Sequence, residues 1–261
     1  VVVVSDRVNQ PAPRNQLWVW QQTNADALVK LAARYRVGRL LVWVSPNFTR
    51  DKATGLWLDR LALSADQRKI ALDALCGDPA WATMPSIAGM WAHEVAGSGR
   101  FERIHLDIEP HALPNWSEAH ADLSSGIVQA VVAAKHESAG MPVDVDIPSW
   151  YWTIPTLDPA LTADRAILQV ADSITLMSYQ DSAAKTLAIS QPEMTAAADA
   201  GKPAWIGVNV MQPSPDDPGS SMWGQAPTVI QACFGQVDQG GSRLPAFAGV
   251  AIHEAGSLSR I

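Results

Sequence analysis

The stretch Phe101-Glu-Arg-Ile-His-Leu-Asp-Ile-Glu-Pro110 decides how the rest of the chain is read. Within it His105, Asp107 and Glu109 alternate with Ile104, Leu106 and Ile108. Side chains two apart on a strand share a face, so the polar set points one way and the apolar set the other.

Outward from this strand in both directions, short β-rich runs alternate with longer Ala-rich stretches, the pattern of a parallel sheet with helical crossovers. Strands are expected near Leu17–Trp20, Leu40–Val44, Ile70–Leu75, Ile104–Ile108, Val143–Ile147, Ser173–Met177, Ala204–Val208 and Ala248–Ile252. Between them Ala25–Tyr35, Pro85–Ala96, Ser117–Ser138, Pro159–Val170, Ala183–Ala200 and Thr228–Gln239 read as helices, rich in Ala and Leu and bounded by Gly or Pro. Eight strands in 261 residues fit a single α/β domain, a (β/α)8 TIM barrel, which typically takes about 250 residues. Residues 1–15 then form an N-terminal extension, and the few residues after the eighth strand leave a last helix that is short or absent. The third unit is open: Leu58–Leu75 also reads as one helix, since Ala, Leu, Gln, Arg and Lys favour that state. Barrel closure is the argument for a strand there.

Composition narrows the function. With 48% apolar and 17% charged residues the chain has ample core and is not disordered. Its net charge of −7 is spread along the chain, and no Lys/Arg cluster offers the surface that nucleic acid needs. The longest strongly apolar runs fall well short of the roughly 20 residues that span a bilayer. The opening VVVVSDRVNQPAP is not an intact signal peptide, so the compartment stays open, with a secreted or periplasmic location if a signal has been removed. Cys76 and Cys233 lack metal-ligand spacing and sit beside apolar residues, which reads as two buried free thiols before one disulfide. We expect a monomer with no nucleic-acid or membrane partner.

In a barrel of this kind the chemistry sits at the C-terminal ends of the strands. Asp107, Glu109, Asp146, Trp150, Tyr179, Asp181, Asn209, His253 and Glu254 gather at those ends, with Asp78 and Trp81 if the third strand stands. Three polar residues pointing inward from strand four need a reason, because unpaired buried charge is expensive. Neighbouring carboxylates on one face resist joint ionisation, which can leave one of them protonated near neutral pH as a general acid. Two residues along a strand put them roughly 6–7 Å apart at the backbone, between retaining and inverting separations, so spacing leaves the stereochemistry open. A structural pair held by Arg103 or loop amides is the bland alternative. Among eleven tryptophans, Trp20, Trp43, Trp81, Trp150 and Trp152 flank strand ends. Any one of them could equally pack in the core, but together they suit a cleft for flat sugar faces.

The quoted stretch resembles the fourth-strand signature of family-18 glycoside hydrolases, the chitinases and their relatives, written Asp-x-x-Asp-x-Asp-x-Glu. Asp107 and Glu109 match its last two acids, while Glu102 and His105 replace its first two. Leu176-Met-Ser-Tyr179 is similar to the family's Met-x-Tyr-Asp on strand six, with Gln180 at the Asp position and Asp181 one later. Pro203-Ala-Trp-Ile-Gly-Val208 looks like its seventh strand, and Gly249-Val-Ala-Ile-His253 like its eighth, His253 replacing the usual Trp. The resemblance implies a glycosidase needing no cofactor or metal. Glu109 would protonate the leaving oxygen while the substrate's own 2-acetamido group attacks the anomeric carbon. Asp107 would orient that group and Tyr179 would hydrogen-bond its carbonyl oxygen. The substrate expected is a polysaccharide or oligosaccharide, including amino sugars and cut internally in an open groove. That groove would be lined by Trp20, Trp43, Asp78, Trp81, His105, Asp146, Trp150, Gln180, Asp181, Asn209, His253 and Glu254.

The substitutions at His105, Gln180 and His253 keep two-carboxylate chemistry open, with Asp146, Asp181 or Glu254 as the second acid. A metal-dependent barrel hydrolase is one rival, through His105, His111, His253 and Asp107, although no H-x-H or H-E-x-x-H supports it. A non-catalytic chitinase-like carbohydrate-binding protein is the other, and the presence of Glu109 counts against it. His93, His120 and His136 fall on expected helices and read as surface residues.

Overall fold

A computed structural model describes residues 14–261; of the extension expected over residues 1–15, the part up to residue 13 lies outside the described residues. Strands β1 Asn15–Val19, β2 Val37–Trp43, β3 Ala71–Cys76, β4 Arg103–Leu106, β5 Val143–Pro148, β6 Ser173–Met177, β7 Ala204–Asn209 and β8 Phe247–His253 follow one another around a closed, all-parallel barrel. Closure is made by β1 on β8, where Gln16 pairs with Ala251 and Leu17 with Ile252. The fold is the (β/α)8 barrel, and each expected strand is found within a few residues of its expected place.

The connecting helices are α1 Ala25–Arg34, α2 Lys52–Asp66, α3 Ser86–Ser98, α4 Trp116–Glu137, α5 Ala163–Val170, α6 Ala183–Ile189, α7 Gln191–Asp199, α8 Pro227–Gly241 and α9 Ala255–Leu258. Both readings of the third unit are partly right. The helix ends at Asp66, Lys69 takes a left-handed φ of +55°, and the Ile70 N–H turns back onto Ala65 O at 3.0 Å before β3 begins. That is the geometry of a helix C-terminus, not of a helix that continues. The single helix expected over Ala183–Ala200 is two. Ser190 Oγ bonds Thr186 O and Ser178 Oγ at 2.7 Å each, and Pro192, with no N–H to give, opens the second helix. Pro159 does not open a helix: residues 155–162 form a loop closed by a bridge between Pro155 and Thr162, and α5 starts at Ala163.

Strand alternation sorts the core. Leu17, Val19, Leu40, Val42, Ile104, Leu106, Val145, Ile147, Ile174 and Ile206 face outward into the helical layer. Trp18, Leu41, Leu75, Trp205 and Ala251 form a second cluster inside the barrel. At the N-terminal end the interior is ionic: Arg39 grips Asp73 with two bonds of 2.5 and 2.6 Å, and Arg103 reaches Asp144 at 3.1 Å, which also accepts from Ser173. One step up, Thr175 donates to Gln16 at 3.1 Å. Among the described residues these layers fill the barrel interior from below, and in such barrels the chemistry sits at the opposite, C-terminal mouth. Cys76 and Cys233 are buried and unbonded.

Candidate active site

β4 continues as a ladder beyond its last residue, the Asp107 N–H bonding Cys76 O at 3.0 Å, and so carries Asp107 to the barrel mouth and Glu109 just above it. The close approach is permitted by Gly77, where a Cβ would fall 1.8 Å from the Asp107 carbonyl oxygen. Asp107 Oδ1 is buried with no hydrogen-bond partner. Burial, and then the charges of Asp146 and Glu109, hold this carboxyl well above the usual range. Glu109 differs: its side chain is 37% exposed, and Oε2 lies 3.1 Å from His111 Nε2.

Beneath them, Asp146 of β5 is locked from two sides. Trp18 Nε1–H donates to its Oδ2 at 3.1 Å, and His105 Nε2 lies 2.7 Å from its Oδ1. Burial raises the Asp146 carboxyl and the Glu109 charge adds to this, against the lowering effect of the Trp18 bond. His105, fully buried, is pushed down by desolvation, which matches a neutral ring donating to Asp146. Tyr179, just beyond β6, stacks on His253 at 5.3 Å and meets Trp18 edge-on at 6.5 Å. Burial first, then the nearby Asp146, Asp107 and Glu109, raise its phenol, so Tyr179 is a hydrogen-bond donor over the working pH range. His253 is placed by Trp20, whose Nε1–H points at Nε2 from 3.0 Å. Indole only donates, so His253 carries its proton on Nδ1, 3.4 Å from Asn209 Oδ1. Burial takes this imidazole down to about 4.

Two indoles with some exposure touch this centre: Trp150, 37% exposed, meets His111 edge-on at 5.3 Å, and half-buried Trp20 meets His253 at 6.1 Å; Trp43, Trp152 and Trp223 are also partly exposed. Asn209 is held by its bonds to Ser220 O at 3.1 Å and from Met211 N at 2.9 Å, and Gln180 is half-buried beside Tyr179. Four expected site residues are engaged elsewhere. Trp81 is buried in the outer layer against Trp91, ring centres 6.0 Å apart, because the turn Pro79–Ala82 packs inward on α4. Asp78 is exposed and caps that turn through the Ala80 N–H at 2.8 Å. Asp181 pairs with Lys185 at 2.8 Å. Glu254 spends both oxygens on the N-terminus of α9, accepting from Gly256 N at 2.8 Å and Ser257 N at 2.7 Å.

Three aromatic residues of the site escaped sequence reading as site residues: Trp18, Tyr151 and Trp116. Trp18 had a signal, since Gln16, Trp18 and Trp20 alternate along β1 as the acids do along β4. Tyr151, fully buried with its hydroxyl unpartnered, stacks on Trp116 at 16° and 6.3 Å; nothing local marks residues so far apart as neighbours.

No family model and no curated protein sequence matches the chain. Solved structures share the fold at low identity. An exo-β-1,4-mannosidase from Opitutaceae bacterium strain TAV5 aligns with a TM-score of 0.60 and 12% identity over 92% of this chain, which spans only 51% of that protein. A chitinase from Chromobacterium violaceum aligns at 0.57 and 14% over 95% of this chain and 97% of its own. A Toxoplasma gondii protein assigned as a deoxyribose-phosphate aldolase aligns at 0.54 and 17%, over 95% and 90%. Two glycosidases and an aldolase on one scaffold mean that the side chains at the mouth, not the fold, must carry the functional argument.

Proposed function

We propose that this protein is a glycoside hydrolase that cuts a polysaccharide containing 2-acetamido sugars, with Glu109 as general acid. One observation carries the reading: a glutamic acid whose side chain is 37% exposed stands at the end of strand four, two residues beyond an aspartic acid whose Oδ1 is buried without a partner. Proton donation to the departing oxygen needs a carboxyl accessible to substrate, and the Glu109 side chain is 37% exposed. The mirrored need, for a second carboxylate to attack or to activate water, is poorly served. Asp181 is neutralised by Lys185, Glu254 caps α9, and both Asp146 oxygens are taken. The substrate's own acetamide then supplies the nucleophile. Asp107 Oδ1, without a protein partner, is the acceptor for its N–H, and the Tyr179 hydroxyl is the donor to its carbonyl oxygen. The three histidines weighed as metal ligands each turn Nε2 to a different partner, His105 to Asp146, His253 to Trp20 and His111 to Glu109. Trp150, which meets His111 beside Glu109, offers a stacking face for a sugar ring next to the acid.

The test is reducing-end release from chitooligosaccharides and manno-oligosaccharides by the wild type and by Glu109→Gln. The variant should bind substrate yet turn over ~10²–10⁴ more slowly, with a smaller loss on aryl glycosides whose leaving groups need little protonation. Near-wild-type turnover of an unactivated substrate would remove Glu109 from the role. Cleavage of the mannose series alone would reject the acetamide as nucleophile.

A further inference from the structure

His111 stands two residues beyond Glu109, on the single turn Pro110–Ala112. Its ring is boxed edge-on by Trp116 at 6.2 Å, Trp150 at 5.3 Å and Tyr151 at 6.4 Å. Inside this box Nδ1 is buried and has no hydrogen-bond partner, while Nε2 faces Glu109 Oε2 at 3.1 Å. The two nitrogens are therefore unequal. A proton on Nδ1 finds no acceptor, whereas a proton on Nε2 has a carboxylate oxygen 3.1 Å away, and an unmet acceptor inside an aromatic box is the milder defect. The box also limits the ring's freedom to turn, so Nε2 is held close to Glu109 Oε2 before substrate arrives.

We propose that His111 is a positioning residue for the reaction proposed above: its Nε2–H holds Glu109 Oε2, so that Oε1 carries the proton to the glycosidic oxygen. In that step the Oε1 proton moves to the bridging oxygen as the C1–O bond breaks, and the electron pair of that bond leaves with the departing sugar. The acetamide oxygen supplies the pair for the new bond at C1. The negative charge left on Glu109 is met at Oε2 by a donor already in place, which favours the transition state over the neutral acid. Water then adds at C1, giving its proton back to Glu109 and restoring the acetamide.

The inference rests on the glycosidase reading, and two variants with one spectroscopic measurement separate their failures. His111→Phe keeps a ring in the box and removes the donor; His111→Gln returns an N–H close to the place of Nε2. The Phe variant, folded by circular dichroism, should lose about 10- to 100-fold in kcat on unactivated chitooligosaccharides. Its KM should stay nearly unchanged, its loss on activated aryl glycosides should be smaller, and the Gln variant should recover most of the rate. Wild-type kcat in His111→Phe alongside an inactive Glu109→Gln would overturn the role of His111 and leave Glu109 standing, whereas an active Glu109→Gln would bring down the glycosidase reading itself. Independently of any substrate, nitrogen-15 NMR should show His111 as the Nε2–H tautomer, with that proton slowed in exchange by Glu109 and released in Glu109→Ala. An Nδ1–H tautomer in the wild type would overturn the proposal.

Discussion

At the scale of single residues, the site depends on carboxyls gathered at the end of strand four and beneath it. Asp107 and Glu109 are two positions apart and both half-buried, yet Asp107 turns one carboxyl oxygen into the interior, and desolvation together with its acidic neighbours holds Asp107 up. The sign of the consequence is fixed. A carboxyl whose folded value exceeds its unfolded value, ~3.9 for Asp, contributes stability that is fully present below the unfolded value and is lost as pH rises through the folded one. Asp107→Asn, which keeps the shape of the protonated acid, should abolish this contribution. Thermal midpoints followed from pH 5 to pH 9 should fall further in the wild type than in Asp107→Asn, by a few degrees at ~2–4 °C per kcal/mol for a chain of this size. Parallel profiles would mean that Asp107 is charged throughout. The alternation in β4 made Asp107 and Glu109 legible in the sequence. What held them was not: Asp146 takes its bonds from Trp18, 128 positions away, and from His105, 41 away. Only barrel closure joins such positions.

At the scale of elements, periodicity located the strands and failed at helix ends, where a few side chains decide. Ser190 and Pro192 split one expected helix, and a left-handed Lys69 let α2 and β3 share a stretch that propensity assigned to one state. Asp78 and Glu254 were read as site acids because they follow strands. Each is instead committed to backbone N–H groups at the start of the next turn or helix, a role that the same residue types fill equally well. Gly77 shows how an element end feeds the site. A Cβ there would meet Asp107 O at 1.8 Å and Asp107 Cα at 2.9 Å, backbone atoms that cannot swing aside. Gly77→Ala should therefore displace the end of β4, costing at least ~1–3 kcal/mol and most of the turnover. Gly55→Ala, inside α2 with nothing within 4 Å of the added carbon, should gain up to ~1 kcal/mol and leave activity alone. Denaturant melts of both variants check this; equal effects would show that the contact at Gly77 relaxes freely.

At the scale of the whole molecule, the barrel divides into an ionic base and a mouth that carries the candidate site, separated by Trp18, Leu41, Leu75 and Trp205. The base could not be read from the sequence: Arg39 and Asp73 lie 34 positions apart, each one polar residue among apolar ones, and neither pattern says which strand brings the partner. Their bonding makes a clear prediction. Asp73 is fully buried and Arg39, 18% exposed, closes over it in a two-point grip, and desolvation offsets much of what such a pair gains. Removing only the cation leaves a buried carboxylate with no counter-charge, so Arg39→Met should destabilise the fold by ~3–5 kcal/mol. Replacing both partners, as Arg39→Met with Asp73→Leu, removes the orphan along with the pair and should return most of that loss, a coupling that independent sites would not show. Because the pair closes the end opposite Glu109, kcat per folded molecule should match the wild type in the double variant. Urea unfolding of both single variants and the double one reads the coupling directly. If the double variant were as unstable as the sum of the singles, the base would be held by packing alone; if it were stable but slow, base and mouth would be one mechanical unit.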